Sequence, residues 1–252
     1  GEELVGLLLL HRISIGKVEV VDARVIDLDH SYEFEDVPVF WLGDAKSSES
    51  LGFLEKLFTT GDPKTRKTLI FVTSLHPDAK VYDFLRSVAL GKYSTELRKN
   101  AIFWLGNYKD EKSLNGLKDI YKKERDSELR EHVIFAFSLS QDKAAVEELI
   151  AIAKNEADRD VRKKAIFWLG QKASKECAQA LKDVIEESED VEVKNSAVFA
   201  ISQLPKEKSV PMLIDIARTN KSASVRKKAI FWLGQTDSEE ALKFFEEILL
   251  KK

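Results

Sequence analysis

The sequence predicts an all-α chain, a right-handed α-solenoid of about 6–7 two-helix repeats of 32 residues behind a small N-terminal cap. Three observations predict it. The stretch Val225-Arg226-Lys227-Lys228-Ala229-Ile230-Phe231-Trp232-Leu233-Gly234-Gln235 is nearly duplicated at 161–171 and, more loosely, at 97–107, with degenerate copies at 65–71, 129–135 and 193–199. Its phenylalanine falls at 71, 103, 135, 167, 199 and 231, a constant step of 32, and Phe40-Trp41-Leu42-Gly43 extends the series by one step of 31. A fixed period in this range means stacked supersecondary units, none of which buries its apolar face alone. Only 5 prolines and 11 glycines accompany 33% charged and 44% apolar residues, which suits a chain of helices.

The organisation divides at residue 37, with an N-terminal capping extension over 1–36 and the repeat solenoid over 37–252. The apolar run at 4–10 is far short of the roughly 20 residues a membrane span needs, and reads as a buried helix or strand. From 17 to 29, β-branched residues separated by charged ones (Val18-Glu19-Val20, Ala23-Arg24-Val25-Ile26) favour one or two strands. A solenoid needs its first repeat covered by something with a polar outer face, and this extension is placed to do so. Pro38 makes the first repeat atypical, since proline suits only the first turn of a helix.

From about residue 47 two helical patterns alternate. The A pattern has apolar residues three and four apart, as in Leu51, Leu54, Leu57 and Phe58 or Leu114, Leu117, Ile120 and Tyr121, giving one-face amphipathic helices of about 12 residues. The B pattern is the repeated motif. Asp62, Ser94, Asp126, Asp158, Asp190 and Ser222 mark its starts, because these side chains accept from free N–H groups at an N-cap. Its ends fall at Gly106, Gly170 and Gly234 or at Ser74, Ser138 and Ser202, the glycines being expected to relieve left-handed C-cap geometry.

These residues resemble the HEAT-repeat family, particularly the short bacterial HEAT-like repeats of phycobilisome-lyase-type proteins. The resemblance rests on Asp158, Val161-Arg162, Ala165-Ile166 and Leu169-Gly170, and on the same pattern over 222–234. It covers roughly 37–252 and departs at Leu97, Leu129 and Lys194, and in the Phe-Trp pair. It implies an armadillo/HEAT-like superhelix and a binding scaffold. It also implies internal pairing of the position-two cations (Arg66, Arg98, Arg130, Arg162, Lys194, Arg226) with the acidic residues that open each B helix.

A second period runs through the motif. The residue after each phenylalanine is Trp41, Val72, Trp104, Ala136, Trp168, Ala200 and Trp232, and two places on glycine alternates with serine, so the full unit is about 64 residues. Size complementarity, an indole in one repeat against a small neighbour in the next, accounts for this, with a row of ligand-binding tryptophans as the alternative. Advancing 100° per residue, Val225, Ala229 and Leu233 share the core face, and Phe231 points nearly opposite, beside Lys227. Phe71, Phe103, Phe135, Phe167, Phe199 and Phe231 would then form a ladder on the concave wall. At about 8–10 Å per helix it would extend on the order of 50–60 Å, with Lys99, Lys163 and Lys227 beside it. Either the rings pack on one another and on lysine stems, or they line a groove for a partner.

Catalytic signals are absent: no phosphate loop, no metal-spaced His/Cys cluster and no nucleophile elbow. The histidines, 11, 30, 76 and 132, are scattered, and Cys177 is the sole cysteine, a small core residue of an A helix. A net charge of −3 does not favour nucleic acid. The expectation is a non-catalytic bacterial scaffold that binds a protein or an extended peptide on its concave face, with no cofactor, no metal and no membrane span. The alternatives are an enzyme of a HEAT-like class, a bilin lyase or DNA-alkylation-repair glycosylase, and a self-assembling structural module. Bacterial cytoplasm and periplasm both fit, and a chain that starts at Gly1 without methionine is compatible with a removed signal peptide.

Overall fold

The computed structural model describes residues 5–34 and 36–250; residues 1–4 and 35, which belong to the expected cap, and 251–252 lie outside them. Two strands, β1 (Val5–Ser14) and β2 (Lys17–Asp27), precede thirteen helices among the described residues. They are α1 (Ser47–Thr60), α2 (Pro63–Ser74), α3 (Lys80–Leu90), α4 (Thr95–Asn107) and α5 (Glu111–Lys123), then α6 (Ser127–Leu139), α7 (Lys143–Asn155), α8 (Arg159–Lys172) and α9 (Lys175–Glu187). The last are α10 (Val191–Ser202), α11 (Lys206–Thr219), α12 (Ala223–Leu233) and α13 (Glu239–Leu250). Odd helices up to α13 carry the A pattern and even ones the B pattern, the helix-pair architecture of a HEAT-like α-solenoid. The chain forms two compact units, 1–123 and 124–252.

In the first unit residues 5–10 of the apolar run lie in a strand. β1 and β2 pair antiparallel about a turn at Gly16 (φ 74°), with a bulge between Leu10 and His11. The hairpin lies against α2, where Ala23 is buried and Lys64 Nζ meets Asp22 at 2.9 Å. α4 has the earlier B helix α2 as neighbour, whereas α2 has β2.

Phe40-Trp41-Leu42-Gly43 continues the motif in sequence, but residues 36–46 form no helix, the first helix starting at Ser47 as expected, and Phe40, Trp41 and Leu42 are exposed. The cause is Pro38. Aligned on the phenylalanine, it falls at the position of Ala229, inside the helix, where it removes an N–H and clashes with the preceding turn. It also pushes Val37 toward extended geometry.

In the second unit α6, α8, α10 and α12 pack on one another in sequence, with α7, α9 and α11 against their flanks and α13 against α11. The core positions of the motif behave as the 3.6-residue period requires. Val161, Ala165 and Leu169, Val193, Ala197 and Ile201, and Val225, Ala229 and Leu233 are all buried. Asp126, Asp158 and Asp190 accept from N–H groups of the first helical turn, as does Asp62 in the first unit.

Gly234 ends α12 as its C-cap, though with right-handed rather than left-handed angles, while Gly170 does something other than expected. Gly170 is helical, and the left-handed residue at the end of α8 is Ala173 (φ 53°). A Cβ on Gly170 would meet Ala200 O at 2.9 Å, Ala200 Cβ at 3.0 Å and Ala200 Cα at 3.1 Å. The absent side chain lets α10 approach α8 closely. Gly234, at the same place in α12, meets only backbone of its own helix.

Candidate binding face of the B helices

Each repeated phenylalanine sits two residues before the last buried residue of its core stripe and one before tryptophan, valine or alanine. In the second unit Phe135 and Phe199 are half-buried, while Phe167 is 38% and Phe231 53% exposed. Phe71 and Phe103 in the first unit are half-buried. The rings therefore leave the core face, as the helical geometry requires, but not equally.

Tryptophan decides which are covered. Trp104 of the following B helix lies 4.9 Å from Phe71, Trp168 lies 5.2 Å from Phe135, and Trp232 lies 5.2 Å from Phe199, each pair tilted. Phe103, Phe167 and Phe231 instead stand edge-on to the tryptophan that follows them in sequence, at 5.0, 5.1 and 5.0 Å. Edge-to-face and tilted contacts of this kind suit the ring quadrupoles. The ladder is thus a set of three-ring clusters repeating every second helix. Trp104, Trp168 and Trp232 are half-buried, and their indole N–H groups are buried without a hydrogen-bond partner. The alternation of residue size seen in the sequence pointed to these clusters. The small residue at Ala200 answers Gly170 rather than the indole.

The lysines also separate by environment. Lys163 is half-buried with Nζ 3.6 Å from Asp160, and Lys164 reaches Glu131 at 3.1 Å. Lys227 is exposed, and Lys228 Nζ stands 5.6 Å from the Phe231 ring centroid and 5.7 Å from that of Trp232. In the first unit Lys99 is half-buried and Lys67 pairs with Glu96 at 2.9 Å. The second unit therefore presents an aromatic strip whose C-terminal end, around Phe231, is the most exposed and the most basic.

Three of the position-two arginines bind backbone carbonyls, which the resemblance did not imply. Arg66 donates to Phe58 O and Thr59 O, Arg98 to Ala89 O, and Arg226 to Asn220 O and Lys221 O, all carbonyls at or just past the end of the preceding A helix. That end has unsatisfied carbonyls and a partial negative charge, so a guanidinium suits it. Arg130 instead binds Glu156 through both terminal nitrogens, one at 3.1 Å. Where Arg130 has Glu156, Arg162 has Ser188, and its Nε is buried without a partner beside a depression of about 360 Å³ that Lys154 and Glu187 also line.

The acidic caps are held ionised. The Ser127 hydroxyl and the Val161 N–H lower the pKa of Asp158. Desolvation raises that of Asp190, but Arg159 and the N–H groups of Glu192 and Val193 outweigh it and leave it lowered. Among the described residues no group of three or more His, Cys, Asp or Glu side chains could hold a metal. Cys177 is buried, as expected. No described helix is long and apolar enough to cross a membrane.

Among solved structures the chain is similar to human deoxyhypusine hydroxylase in complex with glycerol, at 19% identity over 80% of this chain and 78% of that one, with a TM-score of 0.36. It is also similar to the complex of CpcE and CpcF of phycocyanin lyase from Nostoc sp. PCC7120, at 17% identity over 88% and 94%, with a TM-score of 0.41. No curated protein matches. The pattern of HEAT repeats matches residues 40–138, 146–230 and 178–252, and with the repeated helix pairs this places the chain in the HEAT-repeat family.

Proposed function

We propose that the chain is a non-catalytic scaffold whose second unit binds a protein segment along the aromatic strip of α6, α8, α10 and α12. One observation carries this. Phe167 and Phe231, at equivalent places 64 residues apart, are 38% and 53% exposed, while Phe199 between them is half-buried against Trp232. Apolar surface repeated along one face, rimmed by lysines, is the composition of an interaction site rather than of a solvated helix face. Lys163, Lys227 and Lys228 select a segment with carboxylates beside its apolar anchors and speed its encounter. The chemistry on offer is aromatic faces and ammonium groups, which suits recognition.

The test is capture of partners from a lysate of the source organism on immobilised chain. The Phe167→Ala, Phe231→Ala double variant should keep its helical circular dichroism and lose the captured proteins, and a Lys175→Ala control should retain them. Salt should weaken capture, because the lysine rim acts over about a Debye length. A folded double variant that retains every partner would place binding elsewhere and defeat the proposal.

A further inference from the structure

Arg130 and Arg162 hold the same place in successive copies of the motif and differ in what faces them. Arg130 grips the Glu156 carboxylate with both terminal nitrogens, and Glu156 Oε1 also accepts from the Asp158 N–H at 2.9 Å. One copy on, Ser188 stands in place of Glu156. Its Oγ reproduces the second contact, accepting from the Asp190 N–H at 3.2 Å, but a serine is too short to reproduce the first. Arg162 has its Nε buried without a hydrogen-bond partner, and among the described residues no carboxylate forms an ion pair with it. Arg226, two copies beyond, binds the carbonyls of Asn220 and Lys221 instead. Arg162 and Ser188 both line the depression of about 360 Å³, with Ala153 and Val184 as its apolar wall.

We propose that this depression binds a carboxylate supplied from outside the chain, held by the Arg162 guanidinium and the Ser188 hydroxyl as Glu156 is held by Arg130. The guanidinium presents N–H donors in a planar fork that matches the two oxygens of a carboxylate. Ser188 Oγ accepts from Asp190, which leaves its O–H to donate. The surrounding charges set which anion fits. Lys154, the other cation lining the depression, is engaged by Asp183 at 2.6 Å and lies 3.7 Å from Glu187. Asp190 is held by Arg159 at 2.6 Å, and Glu189 is exposed. With Glu187, Glu189 and Asp190 lining the depression, a single added negative charge balances Arg162 and a second meets repulsion. A monocarboxylate therefore suits the site better than a phosphate dianion. The site is separate from the aromatic strip, since Arg162 and Phe167 are five residues apart on α8 and point about 140° apart around it. A free organic acid and an aspartate or glutamate side chain of another protein share the required chemistry.

Acetate is the first probe. Titrated into isotope-labelled chain up to about 100 mM, with chloride keeping the ionic strength constant, it should shift the Arg162 Nε–H and Asp190 N–H resonances saturably. Ser188→Glu gives Arg162 the carboxylate that Arg130 has, so it should lose the saturable shift and raise the urea midpoint. Arg162→Met should lose the Asp190 shift with unchanged helical circular dichroism. Phosphate at the same pH should bind more weakly than acetate. N-acetyl-aspartate amide separates the sources: tighter binding than acetate assigns the site to a protein side chain, and equal or weaker binding assigns it to a free organic acid. The proposal is overturned if no saturable shift appears, if the shift persists in Ser188→Glu, or if phosphate binds more tightly than acetate.

Discussion

Replacing Gly170 by alanine and Gly234 by alanine makes the same chemical change at equivalent places in two copies of the motif, and the structure gives it opposite signs. Gly170 lies inside α8 and Gly234 is the C-cap just past α12, both with right-handed angles that alanine adopts, so alanine gains at both by restricting the unfolded chain, about 0.4–1 kcal/mol. At Gly234 the new methyl meets nothing closer than Phe231 O at 3.4 Å, and the gain stands. At Gly170 it would come within 2.9 Å of Ala200 O and 3.1 Å of Ala200 Cα, both backbone of α10, so a helix and not a side chain must move. Overpacking of that kind costs about 1–3 kcal/mol. These gains largely cancel between the variants, leaving Gly170→Ala less stable than Gly234→Ala by about 1–3 kcal/mol. Urea midpoints followed by circular dichroism at low protein concentration measure this, with the transition slope checked for loss of cooperativity. Adding Ala200→Gly to Gly170→Ala should not restore stability, since it removes the Cβ at 3.0 Å but leaves the carbonyl and Cα in place. Equal midpoints for the two single variants, or full rescue by Ala200→Gly, would refute the close-approach argument.

The arginine row predicts a graded response. Arg130→Met removes the guanidinium from the largely buried carboxylate of Glu156, which the Asp158 N–H also holds, and should cost about 2–3 kcal/mol, while Arg226→Met, which frees only carbonyls next to solvent, should cost about 1 kcal/mol; denaturant midpoints that coincide would contradict it. Acid should act through the caps. Asp62, Asp158 and Asp190 have folded pKa values lowered from the usual aspartate range, so the stability they contribute is complete above the unfolded value near 4 and is lost as pH falls through the folded values. The urea midpoint should hold from neutrality to about pH 5 and drop below about pH 4, less steeply in Asp158→Asn; a decline that begins near pH 6 would point to other groups.

The helices, their N-caps and the buried stripe were legible because each is set within one turn or one helix. Asp158 caps α8 with its own neighbours, and Val161, Ala165 and Leu169 need only the 3.6-residue period to share a face. What was not legible depends on how helices stagger. Gly170 looks like a C-cap in sequence, and only the position of Ala200 reveals it as a contact point. The arginines match a family pattern, but whether a guanidinium finds a carboxylate or a helix-end carbonyl depends on the loop before it, where Glu156 gives way to Ser188 and Asn220. Pro38 is the reverse case. Its effect is local and readable, and the first helix starts only at Ser47 despite the echo of Phe-Trp-Leu-Gly before it.

The aromatic face shows how a packing period becomes a binding period. The phenylalanines recur every 32 residues, and with that alone a partner would meet one ring per helix. Tryptophan occurs in alternate copies and lies over the phenylalanine of the copy before it, so Phe135 and Phe199 are covered while Phe167 and Phe231 remain open. The open rings are therefore two helices apart, about 16–20 Å. An extended chain covers that distance in about five or six residues, and an α-helix in about eleven to thirteen. A segment with apolar anchors at either spacing and carboxylates near the second, where Lys227 and Lys228 flank Phe231, matches the strip; one with anchors at a single-helix spacing of about 8–10 Å meets a covered ring at every other step.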